Sequence, residues 1–299
     1  MLLWFGSLAL WLAATAVVLS DLSRWWVLVT VPAHVAVTYA MFTVLHDSIH
    51  YTVGRPRWVS ELFGRLSVPF VALWATYPVM RYIHFEHHRH TNEDPRSDPD
   101  AWAHAGPYWQ HPFRWLTIDA GYSRFYLPRM PHRPRKDIFG LLINQALLVA
   151  LLAAVVGCGY GWELLLIYLI PQRLALAILA WSFDWLPHHG LGVTAKIDTF
   201  RASRVRVGWE PLMNPLMFYQ NYHVVHHVNP RIPFYLWVKA WHKNETDYLD
   251  RAVPIRTAWG RSLTHSEYRA WRRNPAAAAP TDRPAWARWA RTLCARNRV

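Results

Sequence analysis

The sequence has few charged residues and few cysteines, and each shortage excludes a class of protein. Charged side chains make up 17% of the 299 residues, whereas soluble domains average about 25%. This deficit argues against an ordinary cytosolic globular protein, and the 53% hydrophobic content excludes a disordered chain. Only two cysteines are present, Cys158 and Cys294, and they are far apart. A disulfide scaffold, a cysteine-based zinc site and a cysteine-held iron–sulfur cluster are therefore excluded.

Long apolar runs are what the sequence has instead. Four of them are near or above the roughly 20 residues that a helix needs to span a bilayer: Leu2–Ser20, Trp25–Leu45, Ile138–Trp162 and Leu164–Phe183. The first three hold no charged residue, and the fourth holds only Arg173. A fifth run, Leu66–Met80, is shorter and contains Pro69 and Pro78. A further full span with tilted ends is one interpretation of it. We expect a re-entrant or interfacial segment, because the basic residues on both of its sides then lie on one face of the membrane.

Basic residues are concentrated in two segments. Residues 81–136 hold nine of them, and residues 185–299 hold 18 against 7 acidic residues. The positive-inside rule places both segments in the cytoplasm. The predicted fold is an all-α integral membrane protein of the inner or plasma membrane, with four transmembrane helices, a re-entrant segment and a cytoplasmic helical cap. We expect this domain to occupy residues 1–270 and a basic tail rich in Ala, Pro and Trp to occupy residues 271–299.

The 17 histidines are clustered rather than scattered. Three clusters have the spacing HxxxH, HxxHH and HxxHH, and each follows or flanks an apolar run: His46 and His50; His84, His87 and His88; His223, His226 and His227. Residues three and four apart share one face of a helix, so each cluster can direct its imidazoles to one point. Eight imidazoles are too many for one metal ion and suggest two. Imidazole suits iron, zinc, copper and nickel, and we favour oxygen-activating iron over zinc.

A fourth candidate lies just after the last apolar run. Asp184 is followed by His188 and His189, and either histidine or both could join the site. Four acidic residues in the segment 91–100 are candidates for accepting hydrogen bonds from the outer nitrogen of each metal-ligating imidazole, which is the ring nitrogen that does not bind the metal.

These motifs resemble the integral-membrane fatty acid desaturase and hydroxylase superfamily over about residues 30 to 240. The resemblance implies a non-haem di-iron centre that uses O₂ and two electrons. It also implies that the eight clustered histidines are iron ligands and that His188 is a ninth. Asp184 stands where many members have asparagine, and we keep Asp184 and His189 as candidate catalytic residues. The segments Leu186–His189 and Gln220–His223 resemble the beta-carotene hydroxylase branch.

The resemblance further implies a long hydrophobic lipid substrate, with carotenoid ring hydroxylation or fatty-acyl desaturation as the reaction. No GxGxxG segment follows a strand, so a nicotinamide or flavin domain is not expected. A separate ferredoxin-like or similar acidic electron donor is then required. The basic surface could bind this donor or anionic membrane lipids, and nucleic acid is not expected. The alternative is a histidine-rich transporter or sensor of divalent metals, which would hold its ligands near the middle of the membrane.

Overall fold

The computed structural model describes residues 1–20 and 24–273, and helices dominate them. The helices are α1 (Leu2–Leu19), α2 (Val27–Ile49), α3 (Arg57–Val71), α4 (Tyr77–His90), α5 (His111–Leu116), α6 (Ile118–Tyr126), α7 (Arg135–Gly157), α8 (Gly161–His188), α9 (Glu210–Leu216), α10 (His223–Val228), α11 (Trp237–Lys243), α12 (Glu245–Asp250) and α13 (His265–Arg273). Short 3₁₀ turns lie at Arg24–Trp26, Pro99–Ala103, Tyr108–Gln110, Leu127–His132, Gln220–Tyr222 and Phe234–Leu236. Helix α13 runs past the predicted boundary at residue 270, and the rest of the predicted tail, from residue 274, lies outside the described residues.

Four of these helices are long and apolar enough to cross a membrane, as predicted: α1, α2, α7 and α8. Helix α7 shows why a lipid environment is needed. Its apolar side chains are largely uncovered by protein, with Leu147 65% and Val149 67% exposed. Contiguous apolar surface of this kind is rare on soluble proteins and is suited to lipid tails.

The segment predicted to be re-entrant forms a helical hairpin. Helix α3 runs back along α2, the chain turns at residues 72–76, and α4 returns. The turn has irregular backbone, and side chains of α7 and α8 donate hydrogen bonds to its carbonyl groups. Asn144 of α7 donates to the carbonyl of Leu73 over 2.7 Å, and Gln172 of α8 donates to that of Val71 over 2.9 Å. Irregular backbone among membrane-spanning helices requires protein partners of this type.

The hairpin packs closely against the end of α2. The hydroxyl of Tyr77, at the start of α4, donates to the carbonyl of Ser48 over 3.0 Å. Gly64 of α3 lies between these two residues, and a β-carbon at this position would overlap both side chains. This close approach fixes α4, which carries one histidine cluster, against α2, which carries another.

A small sheet departs from the predicted all-helical architecture. Strand β1 (Val205–Val207) pairs in parallel with β2 (Ile255–Thr257), and β2 pairs antiparallel with β3 (Ser262–Leu263). One hydrophobic core lies among the long helices and includes Met41 and Val79. One face of the sheet packs on a second core, whose centre includes the fully buried Trp237 and Trp241. The same core contains Val224 and Val225 of α10, so it holds the third histidine cluster in place.

Candidate metal centre

Four elements bring nine histidines together. Helix α2 continues four residues beyond the predicted apolar run and carries His46, with His50 directly after its end. Helix α4 carries three histidines, α10 carries three, and the last residue of α8 is His188. A π-helical stretch at Ala180–Trp185 precedes that end of α8. Such stretches often occur at functional sites, because they change the direction in which the following side chains point.

The first group of histidines that could hold a metal ion consists of His46, His50, His84 and His226, and one ring nitrogen of each lies within 4.8 Å of the others. The Nε2 atoms of His46 and His226 are 3.0 Å apart, and those of His50 and His84 are 2.8 Å apart. Nε2 of His88 lies 3.0 Å from that of His84 and 2.8 Å from that of His226. His88 therefore adds a fifth imidazole to this group.

The second group consists of His87, His188, His223 and His227, again within 4.8 Å of one another. Nε2 of His227 lies 3.0 Å from that of His223 and 3.4 Å from that of His87. Nε2 of His188 is buried and has no hydrogen-bond partner in the part of the chain that the structure describes. The ring of His88 lies 4.6 Å from that of His227, so the two groups adjoin.

These spacings are those expected for ligands of one metal ion. With metal–nitrogen bonds of about 2.1 Å, neighbouring nitrogens lie about 3.0 Å apart at right angles and about 3.4 Å apart in a tetrahedron. The six neighbouring Nε2 pairs given above lie 2.8 to 3.4 Å apart, and the remaining ligand nitrogens of each four-histidine group lie within 4.8 Å of one another. Converging imidazole nitrogens cannot all hydrogen-bond to one another, because each neutral ring has a single N–H. The donor set therefore fits two metal ions, and imidazole ligands suit iron and zinc alike.

Acceptors hold the Nδ1 atoms of three of the four histidines in the second group; among the described residues, Nδ1 of His227 has no hydrogen-bond partner. Nδ1 of His87 lies 2.9 Å from Asp98, Nδ1 of His223 lies 2.8 Å from the side-chain oxygen of Gln220, and Nδ1 of His188 lies 3.0 Å from the carbonyl of Ala202. Such contacts fix the ring orientation and leave Nε2 free for a metal. Of these acceptors, only Asp98 belongs to the acidic segment predicted to supply them. Gln220 stands three residues before the third cluster, a spacing that could have indicated it.

Burial and mutual repulsion keep most of these rings neutral. The pKa is lowered well below 6.5, first by burial and then by neighbouring histidines, for His50, His84, His88, His223, His226 and His227. His87 differs: burial lowers its pKa, but the carboxylates of Asp100 and Asp98 outweigh burial and raise it to about 9. Neutral imidazole is the form that binds a metal.

An acidic cluster lies beside the second group. Asp98 and Asp100 are buried, and Oδ2 of Asp100 lies 3.3 Å from Nδ1 of His87. Burial raises the pKa of Asp100 to about 6. Tyr122, which no sequence motif indicated, hydrogen-bonds Asp100. Asp184 is also buried and lies close enough to interact electrostatically with Asp100 and Asp98, although it does not belong to either histidine group.

His189 does not lie with the metal-binding groups. Its ring stacks on Trp185 at 4.5 Å, and its Nε2 lies 2.9 Å from the hydroxyl of Tyr108. The structure thus places His188 inside the second group and directs the side chain of His189 away from that group.

Two small cavities extend from the first group towards the turn of the hairpin. The nearer one contacts His46 and His84, and the farther one contacts Trp74. The two cavities adjoin, because the same four residues line both of them: Phe42, Met80, Tyr122 and Asp184. Each holds only about 20 Å³, which is roughly the space of one water molecule. Their walls are mostly apolar.

The sequence matches the model of a known protein family. The family model described as "Fatty acid desaturase" matches residues 23–259, a stretch that contains all nine clustered histidines. No curated protein matches the sequence significantly.

Proposed function

The chain belongs to the fatty acid desaturase family, and from this we propose that it is a membrane oxidoreductase that uses iron and O₂ on a long hydrophobic lipid. The observation that carries the proposal is the pair of adjoining histidine groups, which together offer nine imidazoles to two metal ions. All-histidine sites with open positions suit oxygen-activating iron better than structural zinc, which favours cysteine-containing sites with four ligands.

The position of the groups disfavours a metal transporter. His46 and His50 lie at the end of α2, and His188 lies at the end of α8. The other proposed ligands lie on α4 and α10, outside the four candidate spans. A transporter would bind its ion near the middle of the spans. The positive-inside rule puts this end of the helices on the cytoplasmic side.

Bound iron would supply the activation of O₂ with two external electrons, and the chain itself supplies orientation and shielding. The acceptors on the outer nitrogens, Asp98 among them, hold the imidazoles in place. The ring of Phe183 packs edge-on against His46 at 4.9 Å and against His223 at 5.0 Å, and Trp237 covers His226 at 5.2 Å. These rings exclude water from the space between the groups.

We propose that the substrate enters along the two cavities lined by Phe42 and Met80. They lead away from the first group between α2, α4 and α8. Because each holds only about 20 Å³, side chains must move before a chain can enter, and methionine is suited to such movement. A linear acyl chain requires less widening than the cyclic end group of a carotenoid, which favours acyl desaturation. The position of the target carbon would decide between loss of a second hydrogen and hydroxylation.

Electrons would come from a separate acidic carrier. A basic crevice of about 740 Å³ lies on the opposite side of α4 from the cavities. Its charged lining is Arg65, Arg81, Arg89, Arg133, Lys136, Glu61 and Asp137. Phe85 also lines it, and its ring contacts that of His50 at 5.6 Å. A carrier bound there would be separated from the first group by a single side chain.

The experiment is mass spectrometry of lipids from a host that makes both carotenes and acyl lipids. Cells expressing the wild type are compared with cells expressing His87→Ala, and His132→Ala serves as a control at an exposed histidine. An acyl chain that loses two hydrogens, only with active protein, supports desaturation. A carotenoid that gains oxygen supports hydroxylation instead. If neither pool changes when an electron donor is also supplied, the enzymatic proposal is wrong.

A further inference from the structure

Three arginines lie together on the small sheet, and none has an acidic partner among the described residues. Arg206 of β1 pairs in register with Arg256 of β2, and Arg204 stands two residues before Arg206. Side chains alternate along a strand. Val205 and Ile255 point into the second core, so the three arginines share the opposite face of the sheet.

Two of these guanidinium groups are buried and incompletely bonded. Arg204 is 2% exposed and Arg206 is 6% exposed. Nε and Nη1 of Arg204 and Nε of Arg206 are buried, and no described residue forms a hydrogen bond with them. The bonds they do make go to neutral carbonyls, that of His189 for Arg204 and that of Thr257, at 3.5 Å, for Arg206.

Nothing in the described part of the chain neutralises this charge. Within residues 1–20 and 24–273, no carboxylate lies within 4.0 Å of any of the three arginines. Burial, followed by repulsion from the other arginines, lowers the pKa of Arg204 to about 9 and that of Arg206 to about 10. An unpaired buried charge costs several kcal/mol, so a site of this composition favours an anion.

The surroundings indicate where the anion comes from. Arg256 is only half-buried and leaves the cluster open on one side. Arg206 reaches towards the turn after β2, where Trp259 is 49% exposed and packs edge-on with Trp209, itself 59% exposed. Exposed tryptophans are typical of the level of lipid headgroups. Gly260 in this turn has φ +91° and no β-carbon to narrow the opening.

We propose that Arg204, Arg206 and Arg256 form a binding site for the phosphate group of an anionic phospholipid. Guanidinium groups bind phosphate oxygens in pairs of parallel hydrogen bonds, and the unpartnered Nε and Nη1 atoms supply such donors. None of the three arginines belongs to the histidine groups, although Arg204 bonds to the carbonyl of His189, the residue after His188. The site does not depend on the identity of the substrate. Free inorganic phosphate has the same chemistry and is the other source to be tested.

The test measures the thermal stability of the full chain, purified without anionic lipid. Inorganic phosphate is titrated at constant ionic strength, and the protein is separately placed in nanodiscs of phosphatidylcholine with and without phosphatidylglycerol. We expect phosphate and phosphatidylglycerol each to raise the Tm of the wild type. Arg206→Gln should bind phosphate roughly 10- to 100-fold more weakly, the loss expected for one charge-assisted hydrogen bond or two. Arg231→Gln, at an exposed arginine of the same region, should respond as the wild type does.

A purely structural role for the arginines predicts a different pattern. Arg206→Gln would then lower the Tm equally with and without anions. Our proposal instead predicts no loss of Tm in anion-free buffer, because the substitution removes an unpaired buried charge. If Arg206→Gln does not fold, the half-buried Arg256→Gln replaces it. Stabilisation by phosphate but not by phosphatidylglycerol would overturn the lipid assignment. No stabilisation by either, or an unchanged response in both variants, would overturn the site.

Discussion

Asp98→Asn should weaken iron binding without changing any proposed ligand. Oδ1 of Asp98 accepts hydrogen bonds from Nδ1 of His87 at 2.9 Å and from the backbone N–H of Asp100 at 3.0 Å, and Oδ2 accepts from the backbone N–H of Asn92 at 2.9 Å. Asparagine has one oxygen and one NH₂ group, so one of these donors would face another donor. The lost charge-assisted bond is worth about 1.5–3 kcal/mol, which corresponds to roughly 10- to 100-fold in affinity.

The assay is titration of iron into the metal-free protein against a competing chelator, together with product formation in the host. Asp94→Asn is the matched control, since Asp94 is exposed and lies in the same acidic segment. Thermal unfolding of the metal-free variants shows whether the fold is intact. Wild-type iron affinity and wild-type product formation in Asp98→Asn would refute the conclusion that this carboxylate positions His87.

Three further substitutions test other parts of the structure. His188→Ala should lower the iron content by about half, because it removes one of four ligands from the second group. The iron content of His189→Ala should remain that of the wild type. Equal losses of iron in the two variants would contradict the placement of these two neighbouring histidines. Gly64→Val should sharply reduce the yield of folded protein in detergent, because the new side chain overlaps residues of α2 and α4. Gly140→Ala should express normally, because no described atom outside its own helix lies within 4 Å of the added β-carbon. Met80→Trp should fill the two cavities and so abolish product formation while the iron content stays unchanged. Continued turnover of the same lipid by this variant would exclude the cavities as the substrate path.

The sequence predicted the four membrane-spanning helices, because their apolar runs match the thickness of a bilayer. Hydropathy could not show that α2 continues to Ile49, since His46 and Asp47 are polar and are buried by protein rather than lipid. It also marked Leu66–Met80 as unusual without indicating the helical hairpin, whose turn depends on Asn144 and Gln172 from helices much later in the chain.

The histidine clusters could be found from spacing alone, but their partition into two groups could not. His84, His87 and His88 share one helix, yet His84 belongs to the first group and His87 to the second. The separation of His188 from His189 follows from the local path of α8, which has a π-helical stretch that no residue pattern indicated. The sheet was missed because strands of two or three residues are too short to show alternation.

Metal analysis of the purified wild type tests the central claim most directly. We predict about two iron atoms per chain, the number that two adjoining groups of imidazoles accommodate, and a marked loss of iron in His87→Ala and in His226→Ala, which each remove a ligand from a different group. One zinc ion per chain, or an iron content that neither substitution changes, would contradict the account.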